Sequence, residues 1–251
     1  MTAFDDHGIA HLSASQINTW INAPSFWVLE KLLGFRGKMG CAAHRGTATE
    51  AGVSAGLFDP SMTDEACIDI ALKAYDRLTA LNADDRRQKE RDGIPGMVRQ
   101  GLSLRSHGLP QRPNDFQHRV EVRLEGVNVP IIGYLDWLYA DEVLDLKTTF
   151  RVPSTMSEPH LRQASIYKTA HLDKRVRFFY ASDKKSEKHT LTREQYDAAI
   201  REVTGAAQRL ERFLGLSKDK EELAALVQHS SETFYFSDPA AKAESRRVFG
   251  Y

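Results

Sequence analysis

Cysteine is almost missing from this chain. Cys41 and Cys67 are the only two among 251 residues, too few and too isolated to frame a disulfide scaffold or a zinc cluster, and they read as reduced thiols. Long apolar runs are missing too: none approaches the ~20 residues that span a bilayer. The opening MTAFDDHGIAHLSAS places acids where a secretory signal needs basic residues and then an apolar core. The expectation is a protein of the cytoplasm, or of the host cytoplasm if its source is viral, with no membrane contact. A net charge of either sign is also lacking, since 34 Lys and Arg offset 34 Asp and Glu. Charge balance therefore neither requires nor excludes a polyanionic partner. Local basic clusters at residues 86–91, at 184–185 with Lys188, and at 246–247 are the kind that usually make a solvated surface. With no internal repeat and no low-complexity linker, residues 1–251 are expected to form one domain.

What the chain does have is concentrated in residues 129–149, VPIIGYLDWLYADEVLDLKTT. Two arms rich in β-branched, aromatic and aliphatic residues flank a polar Ala140-Asp141-Glu142 segment, the pattern of a β-hairpin. A turn at Asp141-Glu142, or a four-residue loop centred on the same point, sets Ala140 opposite Val143 and Asp136 opposite Lys147. Alternation along the strands then projects Asp136, Asp145 and Lys147 from one face, with Asp145 diagonal to Asp136. Two acids and an ammonium among apolar neighbours are either an ordinary cross-strand charge pair or a site that holds an ion.

Around this hairpin the spacing predicts helices over residues 13–33, in two pieces broken at Ala23-Pro24 and capped by Ser13 or Ser15. Others are expected over 44–57, over 64–81 after a Thr63 cap, and from Pro95-Gly96 through Arg105. The charged segment 84–92 reads as exposed, and the two helices flanking it as a lid or clamp. A strand over 116–125 and a Gly126-Val127-Asn128 turn lead into the hairpin, making a three-stranded antiparallel meander. Beyond it come a helix over 157–171 with a proline in its first turn, a strand over 175–182, a short partner strand over 188–191, and helices over 192–214 and 218–229. The last twenty residues carry mixed signals and receive no element. Gln163 and Tyr167 lie four apart on one helix face, a spacing that a half-buried face explains equally well.

Phosphodiester hydrolysis needs a nucleophilic water at neutral pH, stabilisation of charge at phosphorus, and help for the leaving oxygen, all of which a divalent metal supplies. Hard Mg²⁺ or Mn²⁺ prefers oxygen ligands, so Asp136, Asp145 and a strand carbonyl such as that of Leu146 suit it. Lys147 would orient or deprotonate the attacking water.

The segments GYLDWL, VLDLKTT and RQASIY, in this order, resemble the PD-(D/E)XK nuclease superfamily and especially its RecB-like branch. The family's strand motif G-x-x-D corresponds to Gly133 through Asp136, its D/E-x-K motif to Asp145-Leu146-Lys147, and its Q-x-x-x-Y helix motif to Gln163 and Tyr167. The early LSASQINTWINAPSFWVLEKLLG resembles that branch's opening helices. RGTATEAG resembles its first motif, in which a glycine is followed four residues later by histidine in many members and by glutamate, here Glu50, in phage-type recombination exonucleases. The resemblance covers the chain from about Leu12 to Ser182.

It implies an α/β, restriction-endonuclease-like core: a central mixed β-sheet flanked by helices, with a helical insertion near 60–110 and a C-terminal helical extension near 192–251. Glu50, Asp136 and Asp145 would be metal ligands, Lys147 the catalytic lysine, Gln163 and Tyr167 a lining for the DNA backbone, and Arg45 a candidate phosphate contact. The implied activity is a metal-dependent DNA exonuclease of recombination or repair, with DNA as partner and a single-strand annealing or other recombination protein as a further one. The alternatives are a structure-specific endonuclease and a catalytically silent DNA- or partner-binding module. Iron–sulfur relatives carry one cysteine before the early proline and three near the C-terminus; here Ala23 takes the early position and no cysteine follows Cys67. No iron–sulfur cluster is expected, and the tail is expected to hold itself by packing through Phe234, Tyr235, Phe236 and Phe249.

Overall fold

The computed structural model describes residues 2–114, 117–229 and 233–250. The chain opens with α1 (Ala3–Asp6), α2 (Ala14–Asn22) and α3 (Pro24–Trp27), the last continued by a π-helical turn over Val28–Leu32. Ser13 caps α2 by accepting from the Gln16 N–H at 3.3 Å. Pro24 opens α3, where its missing N–H costs no hydrogen bond. Next come α4 (Cys41–Phe58), α5 (Asp64–Leu78), capped by Thr63, and α6 (Arg87–Leu102). The strands are β1 (His118–Val122), β2 (Ile131–Leu135), β3 (Trp137–Leu138) and β4 (Glu142–Thr148), then, after α7 (Glu158–Ala170), β5 (Arg175–Ala181) and β6 (Ser186–Thr190). The chain finishes with α8 (Arg193–Leu214), α9 (Lys220–Ala225) and α10 (Pro239–Phe249). Phe116, expected to start the first strand, lies outside the described residues.

A mixed four-stranded sheet, ordered β3-β4-β5-β6, is the centre of the fold. β4 and β5 run parallel, joined by the α7 crossover, while β3 and β6 are antiparallel to their neighbours. β1 and β2 form a separate antiparallel ribbon. The expected three-stranded meander is therefore not one sheet: the long second arm breaks at Asp136, its first half pairing with β1 and its second with β4. The hairpin register also differs from the expectation. Leu138, not Ala140, faces Val143, and Trp137 faces Leu144. The turn is Ala140-Asp141, closed by the Tyr139 N–H donating to the Glu142 carbonyl at 2.8 Å. Glu142 enters the strand rather than the turn because Arg177 stands 2.9 Å from its buried carboxylate and compensates the charge.

Alternation along the strands sorts the core into two layers. Val143, Val176, Phe178 and Tyr180 face one side, where α2, α7 and α8 cover them; Leu144, Leu146, Phe179 and Ala181 face the other, beneath α4, α5 and α6. The helices α5 and α6, expected as a lid or clamp, are thus part of a buried layer. Segment 84–92 is likewise not simply exposed, since α6 begins within it and Glu90 is buried. Pro95 sits inside α6 instead of starting a helix. Burial of Ile94, Met97, Val98 and Leu102 along that helix outweighs the roughly 3 kcal/mol that an interior proline costs.

The second layer depends on small residues in α4. A Cβ on Gly52 would lie 2.5 Å from the Cys67 carbonyl of α5, and one on Gly56 2.5 Å from Leu102 of α6. Gly52→Ala should therefore push α4 and α5 apart and cost ~1–3 kcal/mol, read as a lower urea midpoint at unchanged slope. A wild-type midpoint would show that the helices can separate freely.

The C-terminal helix expected over 218–229 is only the six residues of α9. In the tail Phe236 is fully buried and packs near Leu29 beside α10, whereas Phe234 is exposed. Among the described residues no helix is long and apolar enough to cross a membrane.

Candidate functional site

The break in the long strand creates the site. Continuing the β3–β4 register by one residue sets Asp136 across from Asp145, directly opposite rather than diagonal. Freed from the ladder, the Asp136 carboxylate accepts from the Leu146 N–H at 2.7 Å through Oδ2. Leu146, expected to offer its carbonyl, thus also enters the site through its amide. One residue before it, Asp145 is buried, and one residue after it the Lys147 ammonium stands 2.5 Å from Asp145 Oδ2 and 4.9 Å from the centre of the Phe178 ring.

Glu50 reaches this group because α4 is clamped to the sheet on both sides of it. One turn before Glu50, Arg45 donates to the Thr148 carbonyl at 3.0 Å and its hydroxyl at 3.3 Å, at the end of β4. One turn after it, Ser54 accepts from the Trp137 indole N–H of β3 at 3.0 Å. Between these anchors Glu50 accepts from the Gln117 side-chain amide at 2.6 Å, and the same nitrogen lies 3.3 Å from Asp136 Oδ1.

Burial, then the neighbouring Asp145 and Glu50, pushes the Asp136 carboxyl well above the usual range. Burial and Asp145 push Glu50 up as well, against the Gln117 hydrogen bond and Lys147, which pull it down. Burial alone would depress the Lys147 ammonium, but Asp145 and Asp136 outweigh it and hold the pKa above its ordinary value. Asp136, Glu50 and Lys147 are thus each shifted by burial and by the charges of their neighbours.

α7 closes the site from the other side. Gln163 Nε2 lies 2.6 Å from the Tyr167 hydroxyl and 3.5 Å from Asp145 Oδ1, while the Tyr167 O–H donates to the Tyr134 carbonyl at 2.7 Å. Tyr167 is 2 % exposed, so it braces the site more than it faces solvent. Gln163 and Tyr167 border a cavity of about 490 Å³ between α2, β2 and α7. His160, on the same helix face, shares a 2.6 Å hydrogen bond with the Tyr180 hydroxyl. Burial and then Lys147 lower its pKa to about 4, so it is neutral at neutral pH.

Each sequence-derived candidate can now be placed. Glu50, Asp136, Asp145, Leu146, Lys147 and Gln163 meet around the strand break, with Tyr167 behind Gln163. Arg45 does not: its guanidinium is buried, paired with Glu90 and Thr148, and lies 4.8 Å from the Phe150 ring. It is turned inward rather than toward a phosphate. Sequence reasoning missed Gln117 and His160. No pattern marks Gln117, but His160 is legible afterwards, since positions 160, 163 and 167 share the helical spacing of one face. Among the described residues no three His, Cys, Asp or Glu side chains converge at metal-ligand spacing; the Gln117 amide stands between two of the acids and Lys147 holds the third.

The fold and this cluster define a class by architecture: a mixed α/β core with acids and a lysine where a long strand breaks between the β1–β2 ribbon and the edge of the main sheet. A solved structure from Eubacterium rectale, described as "Putative exonuclease", shares this fold with a TM-score of 0.60 over 90% of this chain and 87% of that chain, at 11% identity. No family model matches the chain, and no curated protein matches it.

Proposed function

We propose that the protein is a divalent-metal-dependent nuclease of the PD-(D/E)XK type, acting on DNA and most simply as an exonuclease in recombination or repair. The observation that carries this reading is the meeting of Asp136, Asp145 and Glu50 with Lys147 at one strand break, from three separate elements. Mutually repelling carboxylates, Asp145 buried and Asp136 and Glu50 half-buried, are hard oxygen donors that favour a cation over being ionised alone, which fits Mg²⁺ or Mn²⁺. Such an ion supplies a nucleophilic water near neutral pH and offsets charge at phosphorus.

The chain's own residues do the rest. Asp136 is held by the Leu146 N–H, Asp145 is approached by Gln163, and Lys147, paired with Asp145, would orient or deprotonate the attacking water and counter the charge developing at phosphorus. Gln117 bridges Glu50 and Asp136 through one amide nitrogen. The Gly46-x-x-x-Glu50 form of the first motif supports the exonuclease choice, and a recombination protein as loading partner goes with it.

The test is digestion of linear and circular DNA with Mg²⁺ or Mn²⁺. Linear DNA should be degraded and closed circles spared, and Lys147→Ala should abolish the reaction. Cutting of circles would favour a structure-specific endonuclease, and undiminished digestion by Lys147→Ala would sink the mechanism. A second reading, a catalytically silent DNA- or partner-binding module, draws on the closed, Gln117-bridged state of the acids. Metal-independent DNA binding without cleavage under any metal would favour it.

A further inference from the structure

The Lys184-Lys185 pair stands out in the sequence, and nothing above assigns it a role. It forms one wall of an open cleft of about 710 Å³ whose other wall is the loop of residues 150–155. The cleft lies at the shared C-terminal edge of the parallel strands β4 and β5, and its loop begins three residues after Lys147. Arg151, Lys184 and Lys185 line it against a single acid, Asp183. All three cations are exposed, and none has a carboxylate within ion-pair distance among the described residues. Lys89 adds a fourth charge at the lip, 5.3 Å from the Phe150 ring. The cations of the 86–91 cluster behave differently: Arg86 pairs with Asp84, and Arg87 and Arg91 pair with Asp76.

The walls are fixed. The Ser182 hydroxyl accepts from the backbone N–H groups of Lys184 at 3.2 Å and Lys185 at 3.0 Å, and the Thr149 hydroxyl accepts from that of Arg151 at 3.1 Å. His189 Nε2 lies 2.9 Å from the Pro153 carbonyl and ties the loop to β6. α6 supports both walls at close range: a Cβ on Gly93 would lie 2.9 Å from Phe150, and one on Gly96 2.3 Å from the Asp183 carbonyl. Arg45 bridges the strand end and Phe150, so the cleft is mechanically continuous with the helix that carries Glu50.

Unpaired cations on preorganised walls beside a hydrolytic cluster match a polyanion whose charges repeat along a chain. We propose that this cleft is the track for the phosphodiester backbone of a nucleic-acid strand, with Arg151, Lys184 and Lys185 making the phosphate contacts. The proposal deepens the nuclease reading and rests on it for what happens to the bound strand.

The test separates the two by working in EDTA, where no cleavage is needed. Binding of a fluorescent oligonucleotide is measured by anisotropy across a salt series for the wild type and for Arg151→Gln/Lys184→Gln/Lys185→Gln. A control, Arg212→Gln/Lys220→Gln/Lys242→Gln, removes three cations elsewhere. The cleft variant should bind about tenfold or more weakly, and its log–log salt slope should flatten by about 2, at about 0.7 per lost contact to a single strand. The control should bind as wild type does. Equal affinity and slope in the cleft variant, an equal loss in the control, no oligonucleotide binding by the wild type, or equally effective competition by poly-glutamate would each overturn the proposal. Loss of binding in the cleft variant by a protein that never cleaves DNA would uphold the track and remove the nuclease reading. Cleavage by a protein whose cleft variant binds normally would do the reverse.

Discussion

Asp136→Asn should eliminate metal-dependent cleavage, by at least ~10³-fold, while making the metal-free protein more stable at neutral pH. The two effects have one cause. Asp136 is half-buried, and that burial together with Asp145 and Glu50 raises its carboxyl well above the usual range. A carboxyl whose pKa is higher folded than unfolded contributes stability that is complete below the unfolded value, about 3.9, and is lost as pH rises through the folded value. At neutral pH the ionised group therefore works against folding in the absence of a cation. Asparagine keeps an oxygen for the Leu146 N–H, now 2.7 Å from Oδ2, and removes one charge from the crowded set. The melting temperature of the variant should exceed that of wild type near pH 7, and the difference should shrink toward pH 4. Adding Mn²⁺ should reverse the order, because ligand binding stabilises by RT ln(1 + [L]/Kd), about 2.7 kcal/mol at a hundredfold excess over Kd. A variant that melts lower at pH 7, or that still digests DNA, would contradict this account.

Arg45→Ala should have the largest effect on stability, a loss of ~3–5 kcal/mol from the ~5–15 kcal/mol typical of a folded protein. The Arg45 and Glu90 side chains are 7% and 8% exposed, so truncating the arginine leaves a carboxylate buried without a counter-charge. It also removes both hydrogen bonds to Thr148 and releases α4 from the end of β4. Urea denaturation should show the lowered midpoint. The double variant Arg45→Met/Glu90→Leu should recover much of the loss, because two apolar side chains strand no charge. A single variant as stable as wild type would show the pair to be hydrated.

The two variants also divide what was legible in the sequence from what was not. The face shared by Asp136, Asp145 and Lys147 was readable, because strand alternation survives a register shift of two residues. Lys147 opposite Asp136 was not correct, because turn position depends on Glu142 finding Arg177 from a strand more than thirty residues later. The site's third acid was nameable only through the resemblance of its motif. The structure adds the reason it is there: Arg45 and Ser54 bind two different strands on either side of Glu50.

Local patterns along the chain therefore determined the elements with strong caps or strict periodicity, such as the helices begun by Ser13, Thr63 and Thr192, and the parity of the strand residues. These depend on neighbours within a turn or a pair of residues. The tertiary structure alone decided where the long strand breaks, that α5 and α6 form a core layer and not a lid, that Arg45 turns inward, and that Gln117 bridges two acids. It also decided that Lys184 and Lys185 face Arg151 across a cleft. Each of those outcomes depends on charge compensation or close packing between segments far apart in sequence, which no local pattern encodes.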